Sequence, residues 1–167
     1  MKGAIGNAFI LNLVITFMLI FFSLLIGSMA YSKAYKAKNY LINLIDKYKT
    51  AGKNDFYDSD SQNGKEWDAE VNEYFGKIGY IISDKEKGCP YKDNSTDGRK
   101  SYYIIRNTNY GYDYCIYIKR DDLVNNPLMT SKYNYMVLVY MKFDLPVIGD
   151  FIKIPITGET KSYTVLR

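Results

Sequence analysis

The chain has 167 residues, 47% of them hydrophobic and 16% aromatic, with 22 Lys and Arg against 18 Asp and Glu, no histidine and a formal net charge of +4. Without histidine, Ser-His-Asp, Cys-His and histidine-metal chemistry are excluded, and the interspersed Lys and Asp leave no basic stripe of the kind that tracks nucleic-acid phosphates. No phosphate-binding glycine loop or dinucleotide fingerprint occurs, so the expectation is a non-enzymatic protein with no cofactor, no metal and no nucleic-acid partner.

From Ala4 to Ala30 no charged residue occurs. A helix of that length reaches about 40 Å, more than the ~30 Å hydrocarbon core of a bilayer. Phe9, Phe17, Phe21 and Phe22, with Leu and Ile on every side, make it apolar all round, which lipid selects and a one-sided protein core does not. Met1 and Lys2 before an apolar run imitate a secretory signal, but the run exceeds the 7 to 15 residues usual for one. The helical pattern also continues past the small residues Gly27, Ser28 and Ala30. The expectation is a retained transmembrane helix over 4–30, preceded by a short leader-like segment over 1–3.

Beyond it Tyr31, Ala34, Tyr35, Lys38, Leu41, Ile42, Ile45 and Tyr48 recur at three- and four-residue spacing, and no Gly or Pro interrupts them before Gly52. One helix therefore continues as a stalk over 31–50. From Ala4 to Tyr48 it would be about 65 to 70 Å long, its second part amphipathic. Lys33, Lys36 and Lys38 follow the span and only Lys2 and the terminal amine precede it, so the charge count alone favours an internal domain. The two cysteines and the size of the domain favour the outside, which is the orientation expected.

About 137 residues remain after the span, enough for one compact domain over 51–167. Asn54 to Lys65 is a polar loop. In the run Asp58-Ser59-Asp60-Ser61-Gln62-Asn63-Gly64 the oxygen ligands alternate as in a calcium loop, but the closing bidentate acid is out of place, and a solvated loop is expected. Lys65 to Ile78 then sets Trp67, Val71, Phe75 and Ile78 at helical spacing, with Trp67 as a core anchor.

The second half holds most of the 18 tyrosines and 8 phenylalanines, residues that suit strands. Tyr102–Ile105 and Tyr114–Ile118, around the turn Asn107–Gly111, make a hairpin. Tyr133–Phe143 is apolar on both alternating faces and should be a central strand. Leu145–Gly149 turns the chain, and Phe151–Pro155 and Lys161–Leu166 supply two short strands. Three or four antiparallel strands packed on the stalk helix give an α+β fold.

Cys89 and Cys115 are the only cysteines, too few for a structural zinc site. A disulfide is the first reading and two buried thiols the alternative. The carboxylate pairs Asp68 with Glu70 and Asp121 with Asp122 read as solvated surface charge.

The start of the chain, Lys2-Gly3-Ala4-Ile5-Gly6-Asn7-Ala8-Phe9-Ile10-Leu11, and its end, Val137–Phe143 with Leu145-Pro146-Val147-Ile148-Gly149 and Ile154–Thr160, resemble TadE-like pseudopilins, relatives of the type IV pilins. The resemblance covers both ends and leaves the middle unmatched. It implies a minor pilin of a tight-adherence pilus or secretion apparatus, cut by a prepilin peptidase after Gly3 or Gly6, with other pilin-like subunits as partners through the N-terminal helix. It implies a cell-membrane location with the C-terminal domain outside, and incorporation in a surface filament. The glutamate such proteins carry at the fifth mature position is here Ala8 or Leu11, leaving Asn7 and Asn12 as the polar groups for helix–helix assembly. The alternative function is a membrane-anchored binding or sensor domain that holds a ligand on its tyrosine-rich sheet.

Overall fold

The computed structural model describes residues 2–80, 89, 95–97, 100–107, 114–121, 131–142 and 153–165, with the side chains of 2–7, 95–97, 100–107, 120, 121, 131, 142, 153 and 165 left aside. Of the turn expected at Asn107–Gly111, Asn107 ends a strand and the rest lies outside the described residues, as do the turn expected at 145–149 and the partner acid Asp122.

Helix α1 runs without a break from Lys2 to Thr50, about 74 Å at 1.5 Å per residue. In its upper half Ala34, Ala37, Leu41, Leu44, Ile45 and Tyr48 are 0–3% exposed, and their spacing of three and four residues draws one stripe down the helix. This stripe is rotated from the one the sequence suggests. Tyr31 and Tyr35 are 52% and 45% exposed, and Ala37 and Leu44 take part instead. Two alanines let the sheet approach closely where tyrosine rings could not fit.

Helix α2, Gln62–Ile78, begins three residues before the expected start. Ser61 is its N-cap, its hydroxyl accepting from the Gly64 amide at 2.9 Å, and Gly79 closes it at φ 64, a left-handed conformation that glycine adopts without penalty. A side chain on Gly64 would collide with the Asp58 carbonyl, so the loop can fold tightly against the first turn only with glycine there. The chain descends antiparallel to α1. Lys47 Nζ meets Glu70 Oε2 at 2.8 Å near the top, the rings of Tyr40 and Tyr74 stack at 3.8 Å, and Lys33 lies beside Gly79 at the bottom.

The sheet has six antiparallel strands: β1 Ser95–Asp97, β2 Lys100–Asn107, β3 Tyr114–Asp121, β4 Ser131–Lys142, β5 Lys153–Glu159 and β6 Tyr163–Val165. Their order is β1-β2-β3-β4-β5, with β6 also paired to β4. β5 and β6 are one return path along β4: Met136 pairs with Glu159 and Tyr133 with Tyr163, so the returning chain carries one extra residue, a bulge. Thr160 fills the junction, donating its amide to the Tyr135 carbonyl at 2.9 Å and accepting from the Tyr135 amide on its hydroxyl at 3.0 Å.

β4 is the central strand and is buried on both faces. Tyr135, Val137, Val139 and Met141 join the α1 stripe, Trp67, Val71 and Phe75 in the main core. Met136 and Leu138 join Cys115 and Tyr117 in a second cluster, with Cys89 packed against it. Trp67 is fully buried, and its indole N–H donates to the Tyr114 hydroxyl at 2.9 Å, tying α2 to β3. Cys89 and Cys115 form a disulfide with Cα atoms 5.8 Å apart.

Candidate functional site

The part of the molecule that the domain leaves unused is the lower half of α1. Among the described residues this is one helix long and apolar enough to cross a membrane, and its most apolar 18-residue window has none of its residues buried. Phe9, Leu11, Phe17 and Leu24 are 61–69% exposed. A core helix of a soluble domain would be covered by its own fold, and this segment is not. Each exposed large apolar side chain would gain about 1.5–3 kcal/mol on leaving water.

The polar groups in this segment are handled as a lipid environment requires. The Thr16 hydroxyl donates to the Asn12 carbonyl at 2.8 Å and the Ser23 hydroxyl to the Leu19 carbonyl at 2.8 Å, so both hydroxyls are satisfied within the helix. The Asn12 side-chain amide has no hydrogen bond among the described residues. It lies about 12 Å along the helix from Ala4, inside the hydrocarbon layer if the span is 4–30, where an unpaired amide costs several kcal/mol. Phe9, Leu13, Phe17 and Ile20 flank Asn12 and Thr16 around a shallow groove of about 460 Å³.

At about 100° per residue, Asn12, Thr16, Ser23 and Gly27 fall within about 60° of one another and in line with Ala34, Leu41 and Tyr48. The face that holds the domain above thus continues below as a strip that carries small and hydroxyl residues together with Phe9. Asn12 belongs to it. Asn7 stands about 140° away around the helix, so one partner helix cannot engage both asparagines. Thr16 and Ser23 were not singled out in the sequence, and Gly27 only as a small residue near a possible signal cleavage site, although their spacing inside an apolar run was the available signal. Gly3 and Gly6 both lie within α1.

The other sequence candidates fall elsewhere. Glu70, half of one carboxylate pair, is held by Lys47 and by the Tyr48 hydroxyl, which donates to Glu70 Oε1 at 3.3 Å. Burial first, then the Glu70 charge, pushes the Tyr48 and Tyr40 hydroxyls above the ordinary tyrosine value. In the acidic loop Asp55 accepts from Asn63 at 2.6 Å, which holds its carboxyl below the usual range, and Asp58 accepts from the Asp60 amide at 3.0 Å. These acids serve the turn before α2. Among the described residues no group of three or more acids or cysteines converges as a metal site would require.

The tyrosines of the sheet go largely into packing. Tyr114, Tyr117 and Tyr135 are 0–1% exposed. Tyr163 donates to Asp46 on α1, and the Lys49 ammonium lies 5.2 Å from the Tyr135 ring centre. On the edge of the sheet Glu159 joins three strands, accepting from Lys119 at 2.7 Å and from Asn134 at 2.8 Å.

No family model, curated protein or solved structure matches the chain. The fold and the uncovered helix therefore define a class by themselves: an α+β domain built on the upper half of an N-terminal helix whose lower half is long and apolar enough to cross a membrane.

Proposed function

We propose that this protein is a non-enzymatic structural subunit, a minor pilin or pseudopilin of a Tad-like pilus or secretion apparatus, which assembles with other pilin-like chains through the lower half of α1. One observation carries the reading: Asn12 presents an unpaired amide, among the described residues, on a face that is apolar and uncovered. In lipid that amide is satisfied by a polar group on a neighbouring helix, an interaction of about 1 kcal/mol. The disulfide supports an extracytoplasmic domain, because such bonds persist in oxidising compartments. A prepilin peptidase acting after Gly3 or Gly6 would leave Asn12 and its strip within the mature helix.

The binding or sensor alternative needs a concave aromatic surface, and Tyr48, Tyr80, Tyr114, Tyr117 and Tyr135 are instead buried. The test is cross-linking in the native membrane with the pilus genes present. Asn12→Cys is expected to form disulfide-linked species with partner subunits, and Asn7→Cys, on the opposite flank, to form fewer. A chain that stays monomeric at both positions would remove the assembly reading.

A further inference from the structure

The domain carries an exposed apolar and aromatic rim at the end where α1 leaves it. Tyr31 and Tyr35 are 52% and 45% exposed, and Ile154 is 41% exposed. The two tyrosine rings stack at 6.1 Å, and the Lys38 ammonium sits 4.3 Å from the Tyr35 ring centre. Tyr31, Tyr35, Lys38 and Ile42 follow one another at intervals of three and four residues, so they line a single flank of the helix.

That flank is the one β5 lies on. A Cβ on Gly158 would come within 2.8 Å of Ile42 Cδ1 and 2.9 Å of Lys38 Cδ, which places Gly158 directly on those two residues. Higher up, Tyr163 reaches Asp46, so the chain from β5 to β6 ascends in the same direction as α1. Alternate strand residues share a face, and Ile154 stands about 13 Å below Gly158. Tyr35 and Tyr31 stand about 10 and 16 Å below Ile42. Ile154 therefore comes to the level of the tyrosine pair. The rim is continuous with the uncovered apolar surface of α1, where Met29 is 62% exposed.

Tyrosine is favoured at the membrane–water boundary, where its ring sits among headgroups and its hydroxyl stays wet. Lysine near a helix end keeps its stem in apolar surroundings and its charge at the phosphates. We propose that Tyr31, Tyr35 and Ile154 lie in the headgroup layer of the bilayer that α1 crosses, with Lys38 presented to lipid phosphate. This rests on the membrane-spanning reading of α1. A span of about 40 Å exceeds the ~30 Å core and is accommodated by tilt; the rim gives that tilt a direction, with the β5 side leaning onto the membrane.

The test places tryptophans in the full chain, reconstituted in phosphatidylcholine–phosphatidylglycerol vesicles with acyl chains brominated beside the headgroup or near the terminal methyl. Native Trp67 is fully buried and gives the same background in every variant. Ile154→Trp and Tyr31→Trp are expected to shift to the blue and lose emission to the shallow bromines, Phe21→Trp to the deep ones, and Tyr57→Trp, at the far end of the domain, to neither. Ile154→Trp emitting like Tyr57→Trp while Phe21→Trp is quenched overturns the rim and leaves the span intact. An unquenched Phe21→Trp overturns the span with it, and quenching of Tyr57→Trp equal to that of Ile154→Trp shows that the rim is not the contact.

Discussion

The two halves of α1 are one continuous helix placed in two surroundings. Above Ala30 one stripe, Ala34 to Tyr48, is buried by sheet and α2, with Tyr40 and Ile42 half-buried at its margins. Below it the same angular face continues as Asn12, Thr16 and Ser23 to Gly27, which is itself buried; the other faces are apolar, and the most apolar stretch has no buried residue. A stripe suffices where a protein packs on one side. Apolar side chains all round are needed where the solvent itself is apolar. The helix therefore records, residue by residue, where the domain ends and a segment long and apolar enough to cross a membrane begins.

The sharpest way to break this comparison is to truncate one leucine in each half. Leu41→Ala should destabilise the domain by about 2–5 kcal/mol, as a fully buried large-to-small change does, while Leu24→Ala should leave the domain's denaturation midpoint in detergent unchanged. Equal losses would mean that the lower half is packed on the domain after all. Reduction of the Cys89–Cys115 disulfide comes next. It opens a loop with a sequence separation of 26 and should cost about 3.5 kcal/mol in the chain-entropy model, read as a lower midpoint with reductant present.

Alkaline pH acts on the upper half alone. Burial raises the Tyr135 hydroxyl, and burial together with the Asp46 bond raises Tyr163, above the ordinary value of 10.0. A raised folded-state value contributes stability that is complete below the unfolded value and is lost as pH rises beyond it. Unfolding should thus set in above pH 10.0, and Tyr163→Phe should blunt the slope; a flat profile would contradict the packing of the tyrosines. The smallest effect belongs to the edge clamp. Glu159→Gln breaks a partly exposed ion pair with Lys119 and should cost about 0–1 kcal/mol, detectable as faster amide exchange along β5.

Much of this organisation was legible in the sequence because it is local. The apolar start of the N-terminal helix, its continuation to Tyr48, the anchoring role of Trp67 and the central position of β4 follow from periodicity and hydrophobic runs. The stalk stripe was read correctly at Ala34, Leu41, Ile45 and Tyr48, but its flank was misplaced because tyrosine scores as apolar: the packing took Ala37 and Leu44 inside and left Tyr31 and Tyr35 out. Strand β1, Ser95–Asp97, carries no apolar pattern and exists through its pairing with β2, which no local window contains. The same holds for the joint pairing of β5 and β6 with β4. In the candidate site, Asn12 stood out as a polar residue in an apolar run, but its alignment with the docking face appears only when the whole helix is taken as one rod.

Assembly through α1 requires that its lower half remain part of the working protein. Intact mass of the chain recovered from the cell decides it. The expected result is a membrane-bound species that retains Asn12 through Ala30 and has lost at most the residues through Gly3 or Gly6. A species that begins after Ser28 or Ala30 and is recovered free of the membrane would show that the helix is a removed secretory signal, and would contradict the account.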